Sequence, residues 1–165
     1  MVKSAMGDVS AKSGAKNNTD PFGEEYLIFT IEEKYYALPS KMVGEVAVLE
    51  KIFPMPLSPA YARGLINRYS ISYALIDLGF FFNNEISNTE KVIVLKDEID
   101  KLAFLIDDVV DIVIVQPEDI LKLEHDEDTL TVSINAFFVW KENHVLYIDT
   151  DELINKIKWD FDQDI

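Results

Sequence analysis

The chain has 165 residues and a mass of 18.9 kDa, with 48% hydrophobic and 27% charged residues. This is the composition of one globular domain or of two small fused ones, and it excludes collagen, coiled coil and general disorder. Cysteine is absent, which excludes disulfides, thiolate metal sites and a thiol nucleophile, and which suits a reducing compartment.

Acidic residues outnumber basic ones by 30 to 15, and the net charge of −15 disfavours nucleic acid and anionic membrane surfaces as partners. The charge is unevenly distributed. Residues 1–96 contain 11 acidic and 10 basic residues, whereas residues 97–165 contain 19 and 5. Residues 1–96 are therefore the part of the chain whose surface would least repel another protein.

Residues 1–22 are predicted to form a disordered tail, because they mix Lys, Ser, Ala, Gly and Asn without an apolar period. The sequence has no apolar run of about 7–15 residues for a secretory signal, and none of about 20 for a membrane span. We therefore expect a cytoplasmic protein whose folded domain spans residues 23–158.

From residue 24 onward, short runs rich in Val, Ile, Phe and Tyr alternate with charged or Asn-rich turns. This pattern predicts a mainly β fold, either barrels or a sandwich. Several runs are apolar on both faces, as expected where a barrel interior and a second packing surface are both covered. The predicted strands are residues 26–31, 35–38, 46–49, 71–78, 92–95, 102–106, 109–115, 136–140 and 145–148.

An internal repeat is visible when residues 26–48 are laid on residues 92–114, at a constant offset of 66 positions. A shift of one would put every side chain on the wrong face of its strand, so agreement in phase is informative. Later, residues 66–67 resemble residues 134–135, and residues 75–77 resemble residues 147–149. We infer two related β modules in tandem, interlocked with each other and spanning roughly residues 23–90 and 91–158. The alternative is a chance alignment of two Val/Ile-rich strand pairs.

A C-terminal helix is predicted after residue 149, with acidic residues in its first turn and lysines in its last. Either Asp149 or Thr150 would cap it. Residues 159–165 are predicted to be a tail. A short turn at residues 39–42 is the other helical candidate, with Ser40 as its cap.

The sequence offers no catalytic motif, and we predict no catalytic, cofactor-binding or metal-binding residue. His125 and His144 lie in polar segments without ligands at metal-site spacing. The acidic run around His125 lacks the ligand spacing of a calcium loop and is interpreted as a solvated loop. Asp107 and Asp108 point to opposite faces of a strand and cannot act as a pair. Asp77 and Asp149 each follow an apolar run, a position typical of a turn or helix cap.

The order of segments resembles the CheW-like family of chemotaxis coupling proteins over residues 24–157. No single motif is specific, but their order is. The segments that carry the resemblance are residues 26–29 (YLIF), 36–39 (YALP), 43–46 (VGEV), 54–56 (PMP), 59–67 (PAYARGLIN), 77–78 (DL) and 106–112 (IDDVVDI).

The resemblance implies two five-stranded SH3-like β-barrels with a shared core, followed by the C-terminal helix. It also implies a non-catalytic adaptor without a cofactor. Such an adaptor couples the cytoplasmic tip of a methyl-accepting chemoreceptor to the regulatory domain of a CheA-like histidine kinase. Three alternatives remain open: an adaptor for another motility or two-component output, a member that occupies arrays without transmitting signal, and a small-molecule-binding or hydrolytic β-barrel.

The sequence departs from the family where the family reads Asn-Leu-Arg-Gly. Residues 67–70 read NRYS here, so Tyr69 stands at the customary arginine position and Ser70 at the glycine. A phenol cannot reproduce the planar contacts of a guanidinium. If the segment is extended, Arg68 points to the opposite face.

The residues carried over from the family as a partner-binding surface come from two segments, and a triple Phe adds a candidate aromatic patch. Val43 and Val46 can also be read as core, Glu45 as a solvated charge and Gly64 as a backbone requirement. Replacing Phe81 or Phe82, the two patch residues, by a charged residue is expected to leave the fold intact and to abolish binding. The predicted partner-binding residues are Val43, Glu45, Val46, Gly64, Asn67, Arg68, Tyr69, Phe81 and Phe82.

Overall fold

Eleven strands and two helices make up the regular structure of residues 22–124 and 133–163, which the computed structural model describes. The helices are α1 (Leu78–Asn83) and α2 (Thr150–Gln163). The strands are β1 (Glu24–Ile31), β2 (Lys34–Pro39), β3 (Val43–Val48), β4 (Ala62–Arg68), β5 (Ile71–Asp77), β6 (Lys91–Leu95), β7 (Leu102–Ile106), β8 (Asp108–Val115), β9 (Leu121–Lys122), β10 (Ile134–Trp140) and β11 (Asn143–Ile148).

The predicted mainly β fold with a C-terminal helix is confirmed, and all nine predicted strands are present. Three elements were not predicted: β4, β9 and α1. Strand β4 carries a glycine between two arginines, and β9 has only two residues. Both lack the continuous apolar or alternating pattern that identifies a strand in the sequence.

Two sheets form, and the internal repeat explains their strand order. The first sheet runs β8-β1-β2-β11-β10-β9, and the second runs β3-β6-β7-β5-β4. The repeat relates β1, β2 and β3 to β6, β7 and β8. Yet β3 pairs with β6, and β8 pairs with β1. Each copy of the repeat therefore gives its third strand to the sheet of the other copy.

The exchange means that neither sheet corresponds to one of the modules predicted at roughly residues 23–90 and 91–158. The second sheet takes its strands from residues 43–106, and the first takes them from residues 24–39 and 108–148. The two copies of the repeat are therefore interlocked in the strand order. The sequence repeat does not reveal the exchange, because pairing a strand within its own copy or with the other copy would use the same apolar faces.

The second part of each repeat follows an offset of 72 positions. Turn residues 69–70 and 141–142 all have positive φ, as both central residues of a type I′ hairpin require. Asp77 and Asp149 each accept a hydrogen bond from the backbone three residues on, at 3.1 and 3.2 Å. Both therefore cap helices, as predicted. The match of residues 75–77 to 147–149 has the correct register.

The predicted match of residues 66–67 to residues 134–135 is wrong by four positions. The register irregularity in the β4–β5 hairpin follows Ala62, and the corresponding one in the β10–β11 hairpin follows Ile134. The offset of 72 places residues 66–67 opposite residues 138–139. The Ile-Asn pair lies near the end of β4 but at the start of β10, so the two pairs do not occupy equivalent positions.

The main core lies between the two sheets and is shared by both, as predicted. It includes Phe29 of β1, Phe104 of β7 and Leu153 of α2, all fully buried. Each sheet also covers a smaller cluster of its own, around Leu75 in the second sheet and Phe138 in the first. Both faces of the central strands are therefore buried, which is why their sequences are continuously apolar.

Helix α2 continues past the predicted end of the domain at residue 158. Phe161 packs against the main core, and Asp160 accepts a hydrogen bond from the Tyr61 hydroxyl at 2.7 Å. The predicted tail at residues 159–165 is therefore helical as far as Gln163. In residues 22–124 and 133–163, no helix has the length and apolar character needed to cross a membrane.

Ser40 does not cap the short turn in which it lies. The 3₁₀ turn Ser40–Met42 follows Pro39 and has no side-chain cap. The Ser40 hydroxyl is buried and makes no hydrogen bond within the described structure. The predicted turn is present, but its predicted cap is wrong because Ser40 is the first residue of the turn instead of the residue before it.

Candidate partner-binding site

Strand β3 forms one edge of the second sheet and presents alternate residues to solvent. Val46 and Val48 are 43% and 59% exposed, whereas Val43 is half-buried and packs against the main core. The period of two along a strand separates these roles. Of the two predicted valines, Val46 is available to a partner, and Val43 contributes to the core.

A two-point ion pair joins the two edges of the second sheet. Arg68 of β4 donates from Nε and Nη2 to the two carboxylate oxygens of Glu45 on β3, each at 3.0 Å. Both side chains are about three-quarters buried, at 24% and 27% exposed. Such planar pairs are stronger and more directional than single contacts. The hydrogen bonds that Arg68 donates to Glu45 raise the pKa of the Arg68 guanidinium above its ordinary value.

This ion pair means that the second sheet is curled. Strands β3 and β4 stand at opposite ends of the strand order, and no ladder joins them in the described residues. Contact between Glu45 and Arg68 therefore requires the edges to approach each other. The curled shape is similar to a barrel whose open edges meet at a seam, where they are joined by this ion pair and, beyond the end of β3, by the paired backbone hydrogen bonds between Phe53 and Leu65.

Tyr69 lies beside Arg68 on the same side of the seam. Its side chain is 82% exposed, and the Arg68 guanidinium carbon lies 5.4 Å from the centre of its ring. The two residues were expected to point to opposite faces only if the segment is extended, and it is not, because Tyr69 begins a turn with a φ of 53° instead of continuing the strand. The left-handed backbone brings the phenol back toward the guanidinium.

Asn67 and Gly64 have different roles. Asn67 is exposed and accepts a hydrogen bond from the Ser72 hydroxyl at 2.8 Å. Gly64 is buried, has a φ of 139°, and would place a Cβ 2.3 Å from the Phe53 carbonyl oxygen. The predicted partner contact at Gly64 is therefore wrong, and the alternative reading as a backbone requirement is correct.

Two clefts flank the ion pair. A cleft of about 190 Å³ lies between β3 and β4, with Val48, Asn67 and Arg68 in its walls. A wider one of about 420 Å³ has Glu45, Tyr69 and residues 94–98 in its walls. Tyr73 also lines the wider cleft, and burial raises the pKa of its hydroxyl. We name the exposed and half-buried residues around the seam the edge surface; they are Glu45, Val46, Val48, Asn67, Arg68 and Tyr69.

Val48 and the lining of the wider cleft were missed in the sequence. The period of two identifies Val48, since it has the same parity as Val46. Tyr73 and residues 94–98 gave no signal, because they reach the edge surface only through the curl of the sheet.

Phe81 and Phe82 do not form the exposed aromatic patch that the sequence predicted. Both lie on α1, are half-buried and pack against the main core. The Phe81 ring meets the Tyr61 ring edge-on at 4.8 Å, and the Phe82 ring stacks on Tyr36 at 5.5 Å. Within the described residues, they share neither a hydrogen bond nor a cleft with the edge surface.

Replacing Phe81 by aspartate is expected to lower the free energy of unfolding by about 1–3 kcal/mol, because it removes a half-buried ring and puts a charge against the core. This reverses the sequence-based expectation of an intact fold. Ile86→Asp is the control, since Ile86 is 70% exposed just beyond α1 and should change stability by no more than about 0.5 kcal/mol. Urea unfolding measures both. Equal stability of the two variants would contradict the packing role.

Metal-binding geometry is absent from the part of the chain that the structure describes, where no three His, Asp or Glu side chains converge. His144 is exposed, and its ring lies 4.7 Å from that of Phe137. His125 and most of the acidic run around it lie outside the described residues.

A protein-family model described as a CheW-like domain matches residues 25–158, which include both sheets. The chain is also similar to the crystal structure of the scaffolding protein TtCheW from Thermoanaerobacter tengcongensis. That match has a TM-score of 0.69 at 19% sequence identity, and it covers 76% of this chain and 88% of that one. At this identity, the second match is evidence of a shared fold.

Proposed function

The chain belongs to the CheW-like domain family, and from this premise we propose that it is a non-catalytic chemotaxis adaptor that couples a chemoreceptor to a histidine kinase. In this proposal, the partners are the regulatory domain of a CheA-like kinase and the cytoplasmic tip of a methyl-accepting receptor. The proposal also assigns the chain to the cytoplasm, where both of these partner domains lie.

The observation that carries the proposal is the edge surface. It combines exposed β-branched side chains, an exposed tyrosine and a two-point ion pair, and it is flanked by two clefts. Tyrosine and arginine are the residues that most often dominate the energy of protein interfaces. The first half of the chain is nearly neutral, so an acidic or a basic partner could approach it without general repulsion.

We expect Tyr69→Ala to weaken binding to the purified kinase regulatory domain or to the purified receptor tip at least tenfold. Removing an exposed interface aromatic costs binding energy but little folding energy. Ile86→Ala is the matched control, because it also removes an exposed apolar side chain, away from the edge surface. Calorimetric titration measures binding. If wild-type protein binds neither partner, or if Tyr69→Ala binds both as wild type does, the proposal is wrong.

A second candidate function is an array member that binds the kinase but not the receptor. Two observations favour it. The Arg68 guanidinium already donates hydrogen bonds to Glu45, and Tyr69 stands at the customary arginine position. In the same titrations, this candidate gives kinase binding and no receptor binding.

A further inference from the structure

The first sheet has a seam equivalent to the one described above, but among residues 22–124 and 133–163 no side-chain hydrogen bond or ion pair joins β8 to β10 across it. By the offsets of 66 and 72, Asp111 occupies the position in the first sheet that Glu45 occupies in the second, and Trp140 occupies the position equivalent to Arg68. Asp111 is exposed, and its Oδ1 accepts the backbone N–H of Ile112 at 2.8 Å. An indole cannot pair with this carboxylate as a guanidinium would. The strands on either side, β8 and β10, therefore lack the link that joins β3 and β4.

An apolar cleft lies at this seam. The cleft between β8, β9 and β10, which we name the first-sheet cleft, has a volume of about 290 Å³, against about 190 Å³ for its counterpart. Its walls include Ile114, Val139 and Trp140. Ile114 and Val139 are 66% and 56% exposed. Trp140 is half-buried, with its ring edge-on to Tyr35 at 5.7 Å. An apolar depression with exposed branched side chains is typical of a surface that another molecule covers.

The rim of the first-sheet cleft is acidic. Glu118 and Asp119 line it, and Asp111 lies on the adjoining strand. All three are exposed, and none forms a salt bridge with a residue in the described ranges. A basic group also lies against the lining, since the Lys141 ammonium is 4.9 Å from the centre of the Trp140 ring. Unpaired carboxylates around an apolar centre favour a ligand of the opposite charge.

We propose that the first-sheet cleft binds a protein segment that carries an apolar anchor side chain between lysines or arginines. The anchor packs against Ile114, Val139 and Trp140, and the basic side chains pair with the acidic rim. This inference goes beyond the proposed function, since it concerns a different sheet and requires neither the kinase nor the receptor.

The sequence has two tryptophans. The test uses the full chain with Trp159→Phe, so that Trp140 is the tryptophan that remains. The probe is a blocked heptapeptide that alternates lysine with isoleucine and a central phenylalanine, and its counterpart has glutamate in place of every lysine. Calorimetry measures binding, and Trp140 fluorescence locates it. We expect the lysine peptide to bind at least tenfold more tightly than the glutamate peptide. We also expect its affinity to fall at least fivefold between 0.05 and 0.5 M salt, because screening weakens exposed charge pairs.

Two matched variants locate the site. Ile114→Lys puts a like charge into the cleft and should abolish binding of the lysine peptide. Val48→Lys makes the same change at the equivalent position of the second sheet and should leave binding unchanged. Thermal unfolding checks that both variants are folded.

Three results would overturn the proposal: equal affinity for both peptides, equal loss of binding in both variants, or self-association that Ile114→Lys abolishes. The last result would assign the cleft to a second copy of this chain. Failure of the kinase and receptor titrations would leave the proposal intact, since neither protein takes part in the test.

Discussion

Asp77→Ala is expected to lower the free energy of unfolding by about 3–5 kcal/mol, the range for breaking a buried charged contact by removing one partner. The Asp77 side chain is fully buried. Its two oxygens accept hydrogen bonds from the backbone N–H of Phe80 at 3.1 Å, from Ser87 N and Oγ at 2.9 and 2.6 Å, and from Arg63 at 3.1 Å. Alanine would leave the Phe80 and Ser87 donors without their acceptor, and Arg63, whose side chain is 34% exposed, would lose its ion pair.

Asp149→Ala is the internal control, because Asp149 occupies the same place in the repeat. It caps α2 with one backbone hydrogen bond at 3.2 Å and is only partly buried. Loss of such a cap costs about 1 kcal/mol. Urea unfolding of both variants measures the difference. If the two substitutions lower the free energy of unfolding equally, the four hydrogen bonds that Asp77 accepts do not stabilise the fold more than an ordinary helix cap does.

Gly64→Ala is expected to lower the free energy of unfolding by about 2–6 kcal/mol. A φ of 139° strains any residue with a Cβ, at about 1–3 kcal/mol. The new Cβ would also lie 2.3 Å from the Phe53 carbonyl oxygen, and relieving such a clash costs about 1–3 kcal/mol more. The same movement would disturb the paired hydrogen bonds between Phe53 and Leu65, both at 2.8 Å.

Gly44→Ala provides the comparison within the same sheet. Its Cβ would meet the Val94 carbonyl oxygen at 3.2 Å, and its backbone does not have positive φ. Its cost should stay within about 1 kcal/mol. Urea unfolding midpoints and slopes measure both variants. A Gly64→Ala protein as stable as Gly44→Ala would mean that the segment at Phe53 moves away freely.

Local features of the fold could be predicted from the sequence, but its strand exchange could not. Apolar runs located nine strands, and acidic residues after Asp149 located α2, because these signals depend on neighbours in the chain. The pairing of β3 with β6 joins Val46 to Ile93, which are far apart in sequence. Helix α1 was missed because its three phenylalanines suggest an exposed patch. They are covered by Tyr36 and Tyr61, which the sequence does not place beside them.

The edge surface was predicted in part. The resemblance supplied Glu45, Val46, Asn67, Arg68 and Tyr69, but the ion pair between Glu45 and Arg68 depends on the curl of a sheet. The position of Tyr69 depends on a left-handed turn formed without glycine. No periodicity encodes either feature.

The exchange of third strands has a consequence for how the molecule loses its structure. Strand β8 cannot leave the first sheet without pulling on β7, from which one residue separates it, and β3 is tied in the same way to β2 through a three-residue turn. Unfolding of either sheet therefore disrupts the other sheet. We expect the molecule to unfold as one cooperative unit. Because each copy of the repeat completes the sheet of the other, the chain has the form of a strand-swapped dimer joined end to end.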